Sequence, residues 1–227
     1  MSEVNLPYWQ VNVPEDRRLA DCPDFLADAN AKDRRILSTK DEDYHYQTWS
    51  EVQRFIETNH LELFERVPTD MRRYKEYTWK LKREYGSVMN FILQERLKWN
   101  DMACTGEPFT NSDDYKILYN DWPYGLEQKI VHLVVWTKFD LEDDPATDDL
   151  TPKARREIDE FVERTFRSRV PRNQVIWFKN WRSLKSVHAV EHFHVLLYDA
   201  DKEFVRQITH DDIALAVKVQ KAERGLT

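Results

Sequence analysis

The stretch "SVHAVEHFHVLLYD", residues 186–199, places His188, His192 and His194 within seven residues. In a strand, side chains two apart share a face, so His192 and His194 point the same way, their Cβ atoms roughly 6–7 Å apart. Imidazoles paired in this way suit a metal, a phosphate or nucleophilic catalysis. A nucleophilic imidazole must present an unprotonated nitrogen, so its other ring nitrogen should donate to a fixed acceptor, commonly a backbone carbonyl. The preceding "WRSLKSVHA" holds Arg182, Ser183, Lys185 and Ser186, the donor types that non-bridging phosphate oxygens accept from. No Cys-x-x-Cys pair backs a zinc site built from these histidines with Cys22 or Cys104, so no metal or other cofactor is expected.

Composition narrows the partners. The 227 residues are 41% hydrophobic with eight tryptophans, enough to bury a core. A net charge of −7 argues against general nucleic-acid binding, which needs a basic footprint. The four glycines, Gly86, Gly106, Gly125 and Gly225, are too dispersed for a phosphate loop or a dinucleotide fingerprint. Side chains and ordinary amides must therefore hold any phosphate. No apolar run nears the ~20 residues that span a bilayer, and no basic-then-apolar leader opens the chain. Residence in the cytoplasm, or also the nucleus, with reduced cysteines and no membrane partner is the expectation.

Elements to position the histidines follow from periodicity and punctuation. Residues 1–47 read as an extended arm anchored by Tyr8 and Trp9, with a short helix near "AKDRRIL". Residues 48–105 read as a helical subdomain. "TWSE" is a capping box, Thr69 caps a second long helix with a Met71, Tyr74, Thr78 and Leu81 stripe, and Gly86 with Ser87 starts a third. Strands are expected at "YKILY" (115–119), "KIVHLVVWTKF" (129–139), "NQVIWFKN" (173–180) and "VEHFHVLLYD" (190–199). Thr151 and Pro152 open a helix that places Ala154, Ile158, Phe161, Val162 and Phe166 on one side. The acidic stretch 140–149 reads as a solvated loop, and 211–223 as a charged C-terminal helix.

This order, strand–"NDWPYG"–strand–helix–strand–Asn–loop–His-x-His, resembles the histidine-triad (HIT-like) superfamily of nucleotidyl hydrolases and transferases over residues 115–199. The resemblance implies an antiparallel α+β domain over residues 106–227 with one main helix. It matches "VHLVVWTK" (131–138) to that superfamily's "HφLVxPK" strand, with His132 at its histidine. It makes Asn120 or Asp121 the ribose contact and Asn180 the asparagine that precedes the motif. His194 is then the nucleophile, with His192 orienting it or touching phosphate. Trp122 is read as packing, with stacking on a base or sugar as the alternative. Leu196 stands where the motif carries a polar residue, a gap that His188 would cover as acid–base group. The whole chain is also similar to the fungal N-acetylglucosamine-induced proteins, which share "ILYNDWPYG", "VHLVVWTKF" and "WFKNWRSLKSVHAVEHFHV".

The expected function is hydrolysis or nucleotidyl transfer at the α-phosphate of a nucleotide or sugar nucleotide. The alternative is a non-catalytic nucleotide- or sugar-phosphate-binding regulator of amino-sugar metabolism. Oligomeric state is left open by the sequence.

Overall fold

A computed structural model describes residues 6–147, 149–180 and 190–225. The expected α+β character is present. Four strands, β1 (Tyr115–Tyr119), β2 (Ile130–Thr137), β5 (Val175–Phe178) and β6 (Glu191–Tyr198), form one antiparallel sheet in the order β1-β2-β6-β5. All four coincide with the expected strands to within two residues at each end. Two further two-residue strands, β3 (Asp143–Asp144) and β4 (Asp149–Leu150), pair inside the acidic stretch that was expected to be a loop.

One sheet face packs on α6 (Pro152–Val162), which continues as a π-helical turn over Glu163–Arg167. Pro152 sits in the first turn and the Thr151 side chain accepts from Ala154 N–H, so the helix starts where the sequence signals it. Its Ile158, Phe161 and Val162 meet Phe193, Val195 and Leu197 of β6 in the largest apolar cluster. Alternation then sends His192, His194 and Leu196 to the opposite face.

That opposite face is covered by the N-terminal half. α3 (Trp49–Glu57) starts with the expected capping box of Thr48 and Glu51 and lays Val52 and Phe55 on Phe178 and Leu196. α4 (Pro68–Tyr85) begins one residue before the expected cap. Val67 is its N-cap and Pro68 its first residue, because proline suits a position whose N–H has no helical acceptor. Thr69 instead gives its N–H and hydroxyl to Asp41. Gly86, at φ 76°, ends α4 in the left-handed region, and Ser87 caps α5 (Val88–Phe91), which runs into a π-helical segment over Ile92–Leu97.

The N-terminal arm carries more helix than expected. α1 (Asp24–Ala27) and α2 (Ala31–Leu37) pack on α4, and Tyr8 and Trp9 join Leu26, Ile36, Leu37 and Met71. The C-terminal helix α8 (Leu215–Glu223) starts four residues later than expected, after His210 and Asp211 take positive φ, and α7 (Lys202–Ile208) was not foreseen. Among the described residues no helix is long and apolar enough to cross a membrane.

Candidate functional site

Between the His192–His194 face and α4 lies a cavity of about 390 Å³. Its floor is sheet: His192 and His194 from β6, with Val134 and Trp136 directly opposite them on β2. Tyr74, Thr78 and Leu81 of α4 form one wall, and Phe91 and Ile92 another. The turn after β1 contributes Asn120, Asp121 and Trp122, and Asn180 borders it from the end of β5.

A hydrogen-bonded line of four side chains runs under the cavity. Asn120 Nδ2 lies 3.1 Å from His132 Nε2, which lies 3.0 Å from His194 Nδ1, and Asn180 Nδ2 lies 3.0 Å from His194 Nε2. The tautomers follow from one backbone contact. Trp122 N–H donates to Asn120 Oδ1 at 2.9 Å, which turns the amide so that its NH₂ faces His132. His132 Nε2 must therefore accept, His194 Nδ1 must donate to it, and His194 Nε2 accepts from Asn180. The cost falls on His132 Nδ1–H and Asn180 Oδ1, both buried with no hydrogen-bond partner among the described residues.

Electrostatics agrees with two neutral rings. Burial first, then the nearby Arg66 guanidinium, lowers His132 to about 3. His194 is held well below the usual imidazole value by burial, with His132, His192 and Arg66 adding to the effect. Neither ring carries charge at neutral pH.

His192 is bonded differently. Its Nδ1 lies 3.0 Å from the Val190 carbonyl, an acceptor only, so Nδ1 carries the proton. The ring stacks at 4.5 Å on Trp136. In the neutral ring the lone pair is then on Nε2.

The remaining expected residues divide into three groups. Asp121 is in an ion pair: Arg96 binds it at 2.9 Å, it caps Leu215 N–H, and burial raises its carboxyl above the usual range. Asn120 bonds Trp122 N–H and His132, and both Asn120 and Asp121 line the cavity with these contacts made. Trp122 is buried, with its ring 5.6 Å from that of Tyr77. Leu196 is fully buried against α3 and serves packing. The residue opposite it on β2 is His132, which supplies the imidazole that reaches His194. Arg182, Ser183, Lys185, Ser186 and His188 lie outside the described residues.

Sequence reasoning missed Arg66, Tyr74 and Thr78 as cavity residues. Tyr74 and Thr78 stood in an apolar stripe that reads as packing, and Arg66 lies in an irregular segment between helices with no motif around it.

Comparison with known proteins places these features in a family context. Residues 48–198 match the family described as a protein of unknown function, DUF3605. The chain is 30% identical to N-acetylglucosamine-induced protein 1 of Candida albicans, covering 71% of this chain and 72% of that protein. It is 28% identical to an uncharacterized protein of Saccharomyces cerevisiae, covering 72% of this chain and 84% of the relative. The crystal structure of HTC1 superposes with a TM-score of 0.55 at 25% identity, over 74% of this chain and 95% of the other. The described cavity is built almost wholly from matched residues, and the match spans more than half of the sequence: the chain belongs to the DUF3605 family.

Proposed function

We propose that the cavity performs imidazole-dependent chemistry on a phosphoester, hydrolysis or nucleotidyl transfer, with His192 as the attacking group. The single observation that carries this is the Nδ1–H bond from His192 to the Val190 carbonyl, the fixed backbone acceptor that a nucleophilic imidazole needs at its other nitrogen, on a ring that lines the cavity. This moves the nucleophile from His194, expected from the motif, to its neighbour two residues earlier. His194 Nδ1 faces the His132 ring where His192 Nδ1 faces a backbone carbonyl, and His194 suits a supporting role beneath the phosphate. In this reading His192 Nε2 bonds to phosphorus while the bond to the leaving oxygen breaks, and that oxygen departs with the electron pair. Water then attacks phosphorus, the P–N bond breaks, its pair returns to Nε2, and solvent takes the water's proton. A HIT-like relationship of the sheet is part of the same proposal, supported by the order of the strands and by His132, Asn180 and His192 meeting at one site. A substrate from amino-sugar metabolism is suggested by the relative's name alone.

The second reading is a binding protein without turnover. The observation favouring it is that His192 is only 4% exposed. The two separate in one experiment: a panel of radiolabelled nucleotides and UDP-sugars is incubated with wild type, His192→Ala and His194→Ala, then quenched at alkaline pH. The proposal expects an acid-labile adduct in wild type, absent from His192→Ala and reduced but detectable in His194→Ala. An adduct that survives in His192→Ala rejects the assignment. Saturable binding with no adduct and no product favours the binding protein.

A further inference from the structure

The protein carries −7 overall, yet the cavity lining is locally cationic. Arg66 and Lys82 both line it, and its one carboxylate, Asp121, is bound by the buried Arg96. Lys82 is exposed. Arg66 is held by specific contacts. Its Nε donates to the Trp122 carbonyl at 2.9 Å, and its guanidinium lies over the Tyr74 ring at 4.2 Å and the Tyr124 ring at 5.4 Å. The segment beneath is tied to the same turn, because Gly125 N–H donates to the Glu65 carbonyl at 2.8 Å. Among the described residues no carboxylate pairs with Arg66. With Nε used, both terminal amino groups remain, in the fork geometry that matches two oxygens of one anion.

The cavity lining also has a polar and an apolar part. Arg66 acts on the His194 ring, to which Asn180 Nδ2 also lies close, at 3.0 Å, so these three form a polar part of the lining. Leu81, Phe91 and Ile92 form the apolar part, in one cluster with Val134 and Trp136. Tyr74 and Leu81 are two turns apart on α4, about 10 Å at 1.5 Å per residue. A bare sugar would leave hydroxyls without partners against the apolar part, which costs binding energy.

We propose that Arg66 is the phosphate receptor of this cavity, and that its ligand is a phosphate ester with a largely apolar body. A residue of the helical half thus completes a site whose other groups come from the sheet. The inference rests on the proposed function only in placing a phosphoester in the cavity.

The test is binding of phenyl phosphate, followed by tryptophan fluorescence, since Trp122 and Trp136 line the cavity. Wild type is expected to bind saturably and more tightly than it binds benzoate or N-acetylglucosamine 1-phosphate. Arg66→Met is expected to lose at least about tenfold, and Arg66→Lys, which keeps charge but loses the fork, a smaller factor of about threefold or more. Circular dichroism and a cooperative melt check that each variant is folded, and Arg66→Lys carries the test if Arg66→Met is not. No saturable binding by wild type, equal or tighter binding of either comparison ligand, or unchanged affinity in the folded variants overturns the proposal. An adduct on His192 with Arg66 affinity unchanged rejects this inference alone. Arg66-dependent binding with no adduct rejects the catalytic reading alone.

Discussion

His132 and His194 show how a tertiary contact sets the chemistry of a side chain. An isolated imidazole titrates near ~6.5. Here burial drives His132 down to about 3 and His194 in the same direction. As pH falls, the unfolded chain takes up these protons first, so stability present above ~6.5 is lost progressively between there and the folded value. In the folded protein, nitrogen NMR is expected to show His132 neutral at pH 5 with its proton on Nδ1, and His194 neutral at pH 7 with its proton on Nδ1. An imidazolium pattern for either ring at its stated pH contradicts the assignment. His132 reads from sequence as a satisfied core histidine, because "IVHLVV" contains nothing that points to His194. Its partner lies 62 residues away and is brought near by the β2–β6 register.

The turn after β1 is the element on which the site depends. It holds Asn120 and Trp122, and it is bound on both sides by the N-terminal half. Gln47 N–H donates to the Gly125 carbonyl at 2.9 Å, and Gly125 N–H to the Glu65 carbonyl. The Tyr44 hydroxyl also donates to Glu65 O, and a Cβ on Gly125 would collide with the Tyr44 ring. Gly125→Ala should therefore cost about 1–3 kcal/mol by overpacking, read from urea unfolding, with the Asn120–His132 contact disturbed. Unchanged stability would show that Tyr44 can move aside. From sequence, "NDWPYG" is legible as a turn, since Asn, Asp, Pro and Gly each favour one. That the turn would be gripped by residues 44–66 is not legible, because on the turn's side those hydrogen bonds fall on backbone groups that any residue type carries. The α4 stripe divides for a similar reason. Periodicity reports that Met71, Tyr74, Thr78 and Leu81 face inward, and both a packed core and a cavity wall satisfy that.

Across the molecule, Arg96 joins parts that are far apart in the chain. Its guanidinium takes two carboxylates in forked pairs, Asp121 in the site's turn and Asp212 before α8, at 2.8–2.9 Å. Asp212 also accepts Tyr119 N–H, so the end of β1, the turn, the π-helical segment and the C-terminal helix meet at one cation. Breaking such a group by removing the buried cation leaves two half-buried carboxylates facing each other. Arg96→Met should destabilise by about 3–5 kcal/mol, checked by chemical denaturation at neutral pH. The loss should shrink on acidification, where the raised Asp121 carboxyl protonates first. A variant as stable as wild type would remove the ion group from the account of what closes the fold.

Local chemistry in the sequence determined the α+β class, the four long strands, the capping box at Thr48, the Pro152 helix start and the shared face of His192 and His194. Each depends on residue type and on a period of two or 3.6, information carried within a few neighbours. Tertiary structure alone decided that His194 is bonded at both nitrogens while His192 donates to a carbonyl, that Leu196 faces α3, that Asp121 belongs to Arg96 and that Arg66 reaches the cavity. Those outcomes depend on strand register and on which helix covers the sheet, contacts spanning tens of residues whose partners no local pattern names.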